Sequence, residues 1–101
     1  MIITIPLAQE PLQTILRRAG YAPEGIDPRS GEFSYVRRFV SAPYPRFHLF
    51  VKSVINKEAV LNIHLDQKKP SYAGSPAHGG EYDGPVVSEE AARICRAVTA
   101  N

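Results

Sequence analysis

Two neighbouring segments of alternating apolar and polar residues constrain the fold of this 101-residue chain more than any other feature. Residues 46–55 read RFHLFVKSVI, and residues 59–66 read AVLNIHLD. Alternation with a period of two places the apolar side chains on one face of a β-strand. Because both segments must bury their apolar face on the same side, the pattern predicts an antiparallel hairpin.

The register of this hairpin follows from the requirement that the two apolar faces match. A two-residue loop at 56–57 would set Leu49 opposite His64 and mix the faces. A three-residue loop at 56–58 sets Leu49 opposite Leu65, and we therefore predict the longer loop.

The same register predicts the polar face of the hairpin. It sets His48 opposite Asp66 and Phe50 opposite His64, so that the two histidines become diagonal neighbours. Lys52 lies on this face as well.

The flanking segments predict the rest of the fold. Residues 10–21 (EPLQTILRRAGY) have helical spacing, residues 32–41 (EFSYVRRFVS) are typical of a strand, and Ser88 is a good N-cap for a C-terminal helix that contains Cys95 in its apolar stripe. We predict an α+β fold of one domain over residues 1–101, with element order α-β-β-β-α. In this fold both helices cover one face of an antiparallel sheet. Whether residues 2–5 join the sheet as a further strand is left open.

Composition narrows the class of protein. A single cysteine, Cys95, excludes a disulfide framework and a cysteine-based zinc site, and it fits a reducing compartment. The N-terminal segment lacks a signal-peptide pattern, and no apolar run is long enough to span a membrane, so we expect a cytoplasmic protein without a membrane partner. The net charge of +2 is too small to indicate nucleic-acid binding by itself. Residues 1–57 nevertheless carry eight Lys and Arg against four Asp and Glu, which allows one basic face.

Residues 67–85 form a long connection without a usable period, rich in glycine and proline. A loop of this length in a small domain is uncommon, and it is usually either functional or disordered. Tyr72 and Tyr82 favour an ordered loop, because disordered segments contain few aromatic residues. We expect the loop to pack over part of the sheet, either as a lid on a site or as a plug.

Histidines and carboxylates in the hairpin and the loop suggest metal or acid–base chemistry. His64 and Asp66 are two residues apart on a strand and so face the same way, with His48 beside them. No recognised metal-binding spacing is present, and the sequence requires no cofactor, although this cluster could hold a divalent transition metal. The candidate catalytic residues are His48, His64, Asp66, His78 and Glu81, and the candidate metal ligands are His48, His64, Asp66 and His78.

Basic and aromatic residues of the strands and the loop offer an alternative, a surface that binds nucleic acid by stacking and charge. Its candidate residues are Arg37, Arg38, Arg46, Lys52, Lys68, Lys69 and Tyr72. We predict a small binding module whose partner is RNA or another protein, with self-association through a sheet edge or face as a further option. The alternative function is a small metal-dependent hydrolase or nuclease that uses the His/Asp cluster.

Overall fold

A computed structural model describes residues 1–67, 80–81 and 84–98 of the chain. The described strands are β1 (Ile2–Pro6), β2 (Ala22–Ile26), β3 (Phe33–Arg38), β4 (Arg46–Ile55), β5 (Glu58–Asp66) and β6 (Gly80–Glu81), and the described helices are α1 (Leu12–Arg18) and α2 (Pro85–Val98). The strands form one antiparallel sheet in the spatial order β1-β5-β4-β3-β2, and β6 also pairs with β5. The predicted α+β fold is confirmed, and its sheet contains more strands than expected.

Both helices pack on the same face of the sheet. Ile15 and Leu16 of α1 and Ile94 of α2 are fully buried. They share one hydrophobic core with Leu49 of β4 and Ile63 of β5. The alternating pattern of the hairpin therefore predicted correctly that Leu49 and Ile63 lie on the buried face. Neither described helix is long and apolar enough to cross a bilayer.

The loop of the β4–β5 hairpin is shorter than predicted. It is the two-residue turn Asn56–Lys57, in which both residues have positive φ, 53° and 63°. Positive φ at both central positions is the geometry of a type I′ turn, whose twist matches that of the flanking strands. The prediction of a three-residue loop was therefore wrong.

A β-bulge in β4 explains why the short turn still gives matched apolar faces. The pairing shifts by one residue between Val51 and Ser53, so that Lys52 is the extra residue. Beyond the bulge, His48 lies directly opposite His64 instead of diagonal to it. The predicted register was wrong because it assumed a regular ladder along the whole hairpin.

Two further strands complete the sheet. In β1, Ile5 pairs with Ala59 of β5, and both side chains are fully buried, so residues 2–5 do join this sheet. The sequence did not indicate β2, because Pro23 and Gly25 are residues that usually interrupt strands. A second bulge, between these two residues, accommodates them and makes Glu24 the extra residue.

Helix α2 begins earlier than predicted and turns a different side to solvent. Its first residue is Pro85, a residue whose fixed φ suits the first turn of a helix. Ser88 therefore lies inside the helix and is not its N-cap. Cys95, expected in the core, is exposed.

The carboxylate of Glu90 joins α2 to the sheet. Its side chain is almost fully buried. Arg37 of β3 donates two hydrogen bonds of 3.0 Å to it, and Arg93 and the Tyr21 hydroxyl donate further ones. Burial by itself raises the pKa of Glu90, but the donated hydrogen bonds outweigh it and lower the pKa to about 2.

Replacing Glu90 by glutamine tests the strength of this connection. We expect Glu90→Gln to lower the free energy of unfolding by about 3 kcal/mol, because it leaves two half-buried guanidinium groups without their carboxylate. Urea denaturation measures the change. The matched control is Glu89→Gln, at an exposed position of the same helix, for which we expect less than about 0.5 kcal/mol. Equal losses in the two variants would contradict the proposed role of Glu90.

The low pKa of Glu90 also predicts acid sensitivity. Its ordinary value is 4.5 and its folded value is about 2. The stabilisation is therefore complete above the ordinary value and is lost as the pH falls toward the folded one. Urea denaturation at a series of pH values from about 5 down to about 2 should show a steeper loss of stability in the wild type than in Glu90→Gln. Parallel pH profiles would refute this origin of the acid sensitivity.

Candidate metal centre

Two histidines lie side by side on the sheet face opposite the helices. His48 and His64 are direct cross-strand partners, and their ring centroids are 5.3 Å apart. Phe50 stacks on both rings, at centroid distances of 4.2 Å from His48 and 5.3 Å from His64. The side chains of His48 and His64 are 11% and 10% exposed, although neither described helix covers this face of the sheet. The hairpin thus supplies two buried imidazoles in one place.

Asp66 connects the two imidazoles. It follows His64 by two residues on β5 and so shares its face. Its Oδ1 lies 3.0 Å from His64 Nδ1, and its Oδ2 lies 3.2 Å from His48 Nδ1 and 3.1 Å from Arg46 Nε. Burial by itself raises the pKa of Asp66, but the hydrogen bonds from the histidines and Arg46 hold that pKa well below its ordinary value.

Glu24 is the residue of this cluster that the sequence did not indicate. As the extra residue of the β2 bulge, it reaches across β3 to the neighbouring β4. Its Oε1 lies 3.1 Å from His48 Nε2, and its Oε2 accepts a 3.0 Å hydrogen bond from Arg46. A glycine inside a strand often marks a bulge, so Gly25 was the signal that could have revealed Glu24.

His48 lies between two carboxylates, and this position cannot be satisfied by a neutral imidazole. A neutral ring has one N–H, so it can donate either to Asp66 through Nδ1 or to Glu24 through Nε2, but not to both. Nε2 is buried and makes no hydrogen bond to a described residue, despite its distance of 3.1 Å from Glu24. A neutral His48 ring therefore leaves one of the two carboxylates without a hydrogen bond from it, whereas a metal ion on Nδ1 would leave an Nε2–H to donate to Glu24.

The distances suit a metal ion. One donor atom from each of His48, His64 and Asp66 lies within 4.8 Å of the other two. Ligands about 2.0–2.1 Å from a tetrahedral zinc ion are about 3.3 Å apart. The separation of 3.0 Å between Asp66 Oδ1 and His64 Nδ1 and that of 3.2 Å between Asp66 Oδ2 and His48 Nδ1 are close to that value, each to a different oxygen of the carboxylate. Three protein ligands that leave one position for water are the usual set of a catalytic zinc site.

The described basic residues do not form one continuous surface. Arg37 binds Glu90 on the helix-covered side, whereas Arg38 is exposed at the next position of β3. Lys52, at the β4 bulge, forms an ion pair of 2.7 Å with Glu32.

The remaining candidates lie at or beyond the limits of the described residues. The backbone of Glu81 pairs with Leu65 at the edge of β5, one position away from Asp66. The predictions for the 67–85 loop fall mostly outside the described residues, and so do His78, Lys68, Lys69 and Tyr72.

Comparison with known proteins gives no relative from which a function could be transferred. No protein-family model matches the chain, and no curated protein and no solved structure matches it significantly.

Replacing Asp66, the carboxylate that His48, His64 and Arg46 share, tests whether these contacts stabilise the fold. We expect Asp66→Asn to lower the free energy of unfolding by about 2 kcal/mol, because His48 and Arg46 lose a charged acceptor. The control is Glu58→Gln, an exposed carboxylate at the other end of β5, for which the change should be below about 0.5 kcal/mol. Chemical denaturation of metal-free protein measures both. An unchanged stability in Asp66→Asn would show that the contacts are not made in solution.

Proposed function

We propose that this chain binds one divalent transition-metal ion through His48, His64 and Asp66, and that the ion serves a hydrolytic reaction. The observation that carries the proposal is the position of His48 between Asp66 and Glu24. A metal ion bound at Nδ1 would leave the ring proton on Nε2, and this N–H would donate a hydrogen bond to Glu24. Both carboxylates would then have a partner at the His48 ring.

The surroundings of the cluster fit this assignment. A histidine ligand of a metal commonly donates its other N–H to a carboxylate, which fixes the tautomer and the ring orientation. Glu24 would have this role for His48, and Arg46 would hold Glu24 and Asp66 in place. Two imidazoles and one carboxylate are ligands that zinc, iron and manganese accept.

The number of ligands and their access to solvent support the hydrolytic role. Three protein ligands would leave a position for water, and a divalent ion held by them would supply a water whose pKa is lowered enough to act as a nucleophile at neutral pH. The side chains of Asp66 and Glu24 are 19% and 38% exposed, against 11% for His48. Water and substrate would therefore approach from the carboxylate side of the cluster.

Binding of RNA or another protein through the same sheet face stays a prediction, and so does self-association through a sheet edge. The positions of the cations give them less support, because Arg37 lies on the other face and Arg46 and Lys52 are paired with carboxylates. We also propose a cytoplasmic location, because a single exposed cysteine suits a reducing compartment.

Metal titration tests the proposal directly. Calorimetry of the chelator-treated chain with Zn²⁺ should show one site, which His64→Ala abolishes. Glu24→Gln should retain the site but weaken it by about 10- to 100-fold, as expected for a group that only orients a ligand. Asp27→Asn is the control, because Asp27 lies in a surface turn, and its affinity should equal that of the wild type.

NMR of the same samples provides a second readout that does not depend on activity. In the zinc-loaded chain the Nδ1 signals of His48 and His64 should shift together, and the remaining proton of His48 should be on Nε2. A chain that takes up neither Zn²⁺ nor Mn²⁺ would disprove the proposal.

A further inference from the structure

Two arginines face each other at the end of the sheet where the proposed metal centre lies. Arg38 of β3 pairs with Arg46 of β4, and Arg46 pairs with Asp66 of β5. Like charges directly opposite each other on neighbouring strands repel. Asp66 and Glu24 compensate the charge of Arg46. Arg38 is exposed, and within the described part of the chain no carboxylate contacts it. Among the described residues, this end of the sheet therefore carries a guanidinium that makes no ion pair.

The guanidinium of Arg46 is held in a fixed orientation. Its Nε donates to Asp66, its Nη1 donates to Glu24, and its plane lies over the ring of Tyr44 at 4.8 Å from the centroid. The third nitrogen, Nη2, makes no hydrogen bond to a described residue. A planar cation fixed on two sides is already ordered, so a ligand that binds Nη2 has little side-chain entropy to overcome.

Binding of a divalent metal ion would change the net charge at this end of the sheet, and with it the kind of ligand that the site favours. With neutral imidazoles, the charges of Glu24, Asp66, Arg38 and Arg46 sum to zero, although both carboxylates pair with Arg46 and neither contacts Arg38. A divalent ion then leaves an excess of two positive charges at one end of the sheet. Such an excess in a half-buried site favours an anionic ligand beside the metal ion.

We propose that the metal-loaded site binds the phosphate group of a phosphate ester, between the metal ion and the guanidinium groups of Arg38 and Arg46. This inference rests on the metal centre of the proposed function and gives its substrate class. Phosphate fits because its oxygens can bridge a metal ion and an arginine, the pairing that stabilises phosphoryl groups in enzymes. Two sources share this chemistry, a small phosphomonoester and the phosphodiester of a nucleic acid.

Titration followed by ³¹P NMR tests the inference and separates the two sources. Methylphosphonate represents the monoester and dimethyl phosphate the diester, and each is added to the full chain with and without one equivalent of Zn²⁺. Zinc content is measured in every sample. We expect one of the two probes to bind the zinc-loaded chain at least about tenfold more tightly than the zinc-free chain, because the added charge lies beside the anion.

Variants locate the bound probe. Arg38→Gln and Arg46→Lys should each weaken it by about tenfold, since the first removes a charge and the second removes the planar fork. Arg38 is exposed, so its replacement leaves the core intact. The control is Lys57→Gln, which removes one positive charge at the hairpin turn, the opposite end of β4 and β5, and should leave the affinity unchanged.

Each outcome separates the two proposals. Zinc binding without binding of either probe would overturn the phosphate site and leave the metal centre standing. Probe binding that is equal with and without zinc, or that is insensitive to both arginine replacements, would also overturn it. Absence of zinc from the chain would overturn the metal centre, and with it the metal-dependent phosphate site.

Discussion

The match between the apolar faces of β4 and β5 is the constraint on which the rest of the structure depends. Leu49 and Ile63 are fully buried beneath both helices, and each fully buried side chain of this size contributes about 1.5–3 kcal/mol. A register that turned either strand over would lose this burial along its length. The apolar side therefore fixes the pairing, and the pairing decides which polar residues meet on the other side.

The two faces of the sheet balance their buried carboxylates in different ways. On the helix side, Glu90 receives hydrogen bonds from two arginines and a tyrosine, so its charge is fully compensated within the protein. On the other side, Asp66 and Glu24 share one arginine and compete for one imidazole, that of His48. A buried network in which every carboxylate has a partner contributes stability. A network in which two carboxylates share one neutral imidazole costs free energy unless a further cation binds. This difference is why we assign a structural role to Glu90 and a functional one to the cluster around His48.

The sequence predicted those features of the structure that follow from the regular alternation of apolar and polar residues. It indicated the buried faces of β4 and β5, the class of the fold, and the proximity of His48, His64 and Asp66. It did not indicate the features that depend on an interruption of the pattern. The bulge at Lys52 adds one residue to a strand, and a single sequence shows no difference between an extra residue and a longer loop. The participation of Glu24 was missed for the same reason, since its strand contains both a proline and a glycine.

The two bulges together create the candidate site. If Lys52 were paired in a regular ladder instead of bulged, a two-residue turn would set His64 opposite Leu49, and the two imidazoles would face opposite sides of the sheet. The extra residue Glu24, in β2, is the second carboxylate that contacts His48. Each bulge interrupts a ladder of backbone hydrogen bonds, and a regular hairpin with the same core would avoid that cost. Bulges are common beside active sites because they redirect a side chain without moving the core. Both bulges in the described part of the sheet affect the surroundings of His48, so the irregular backbone and the two carboxylates that flank this imidazole indicate the same candidate site.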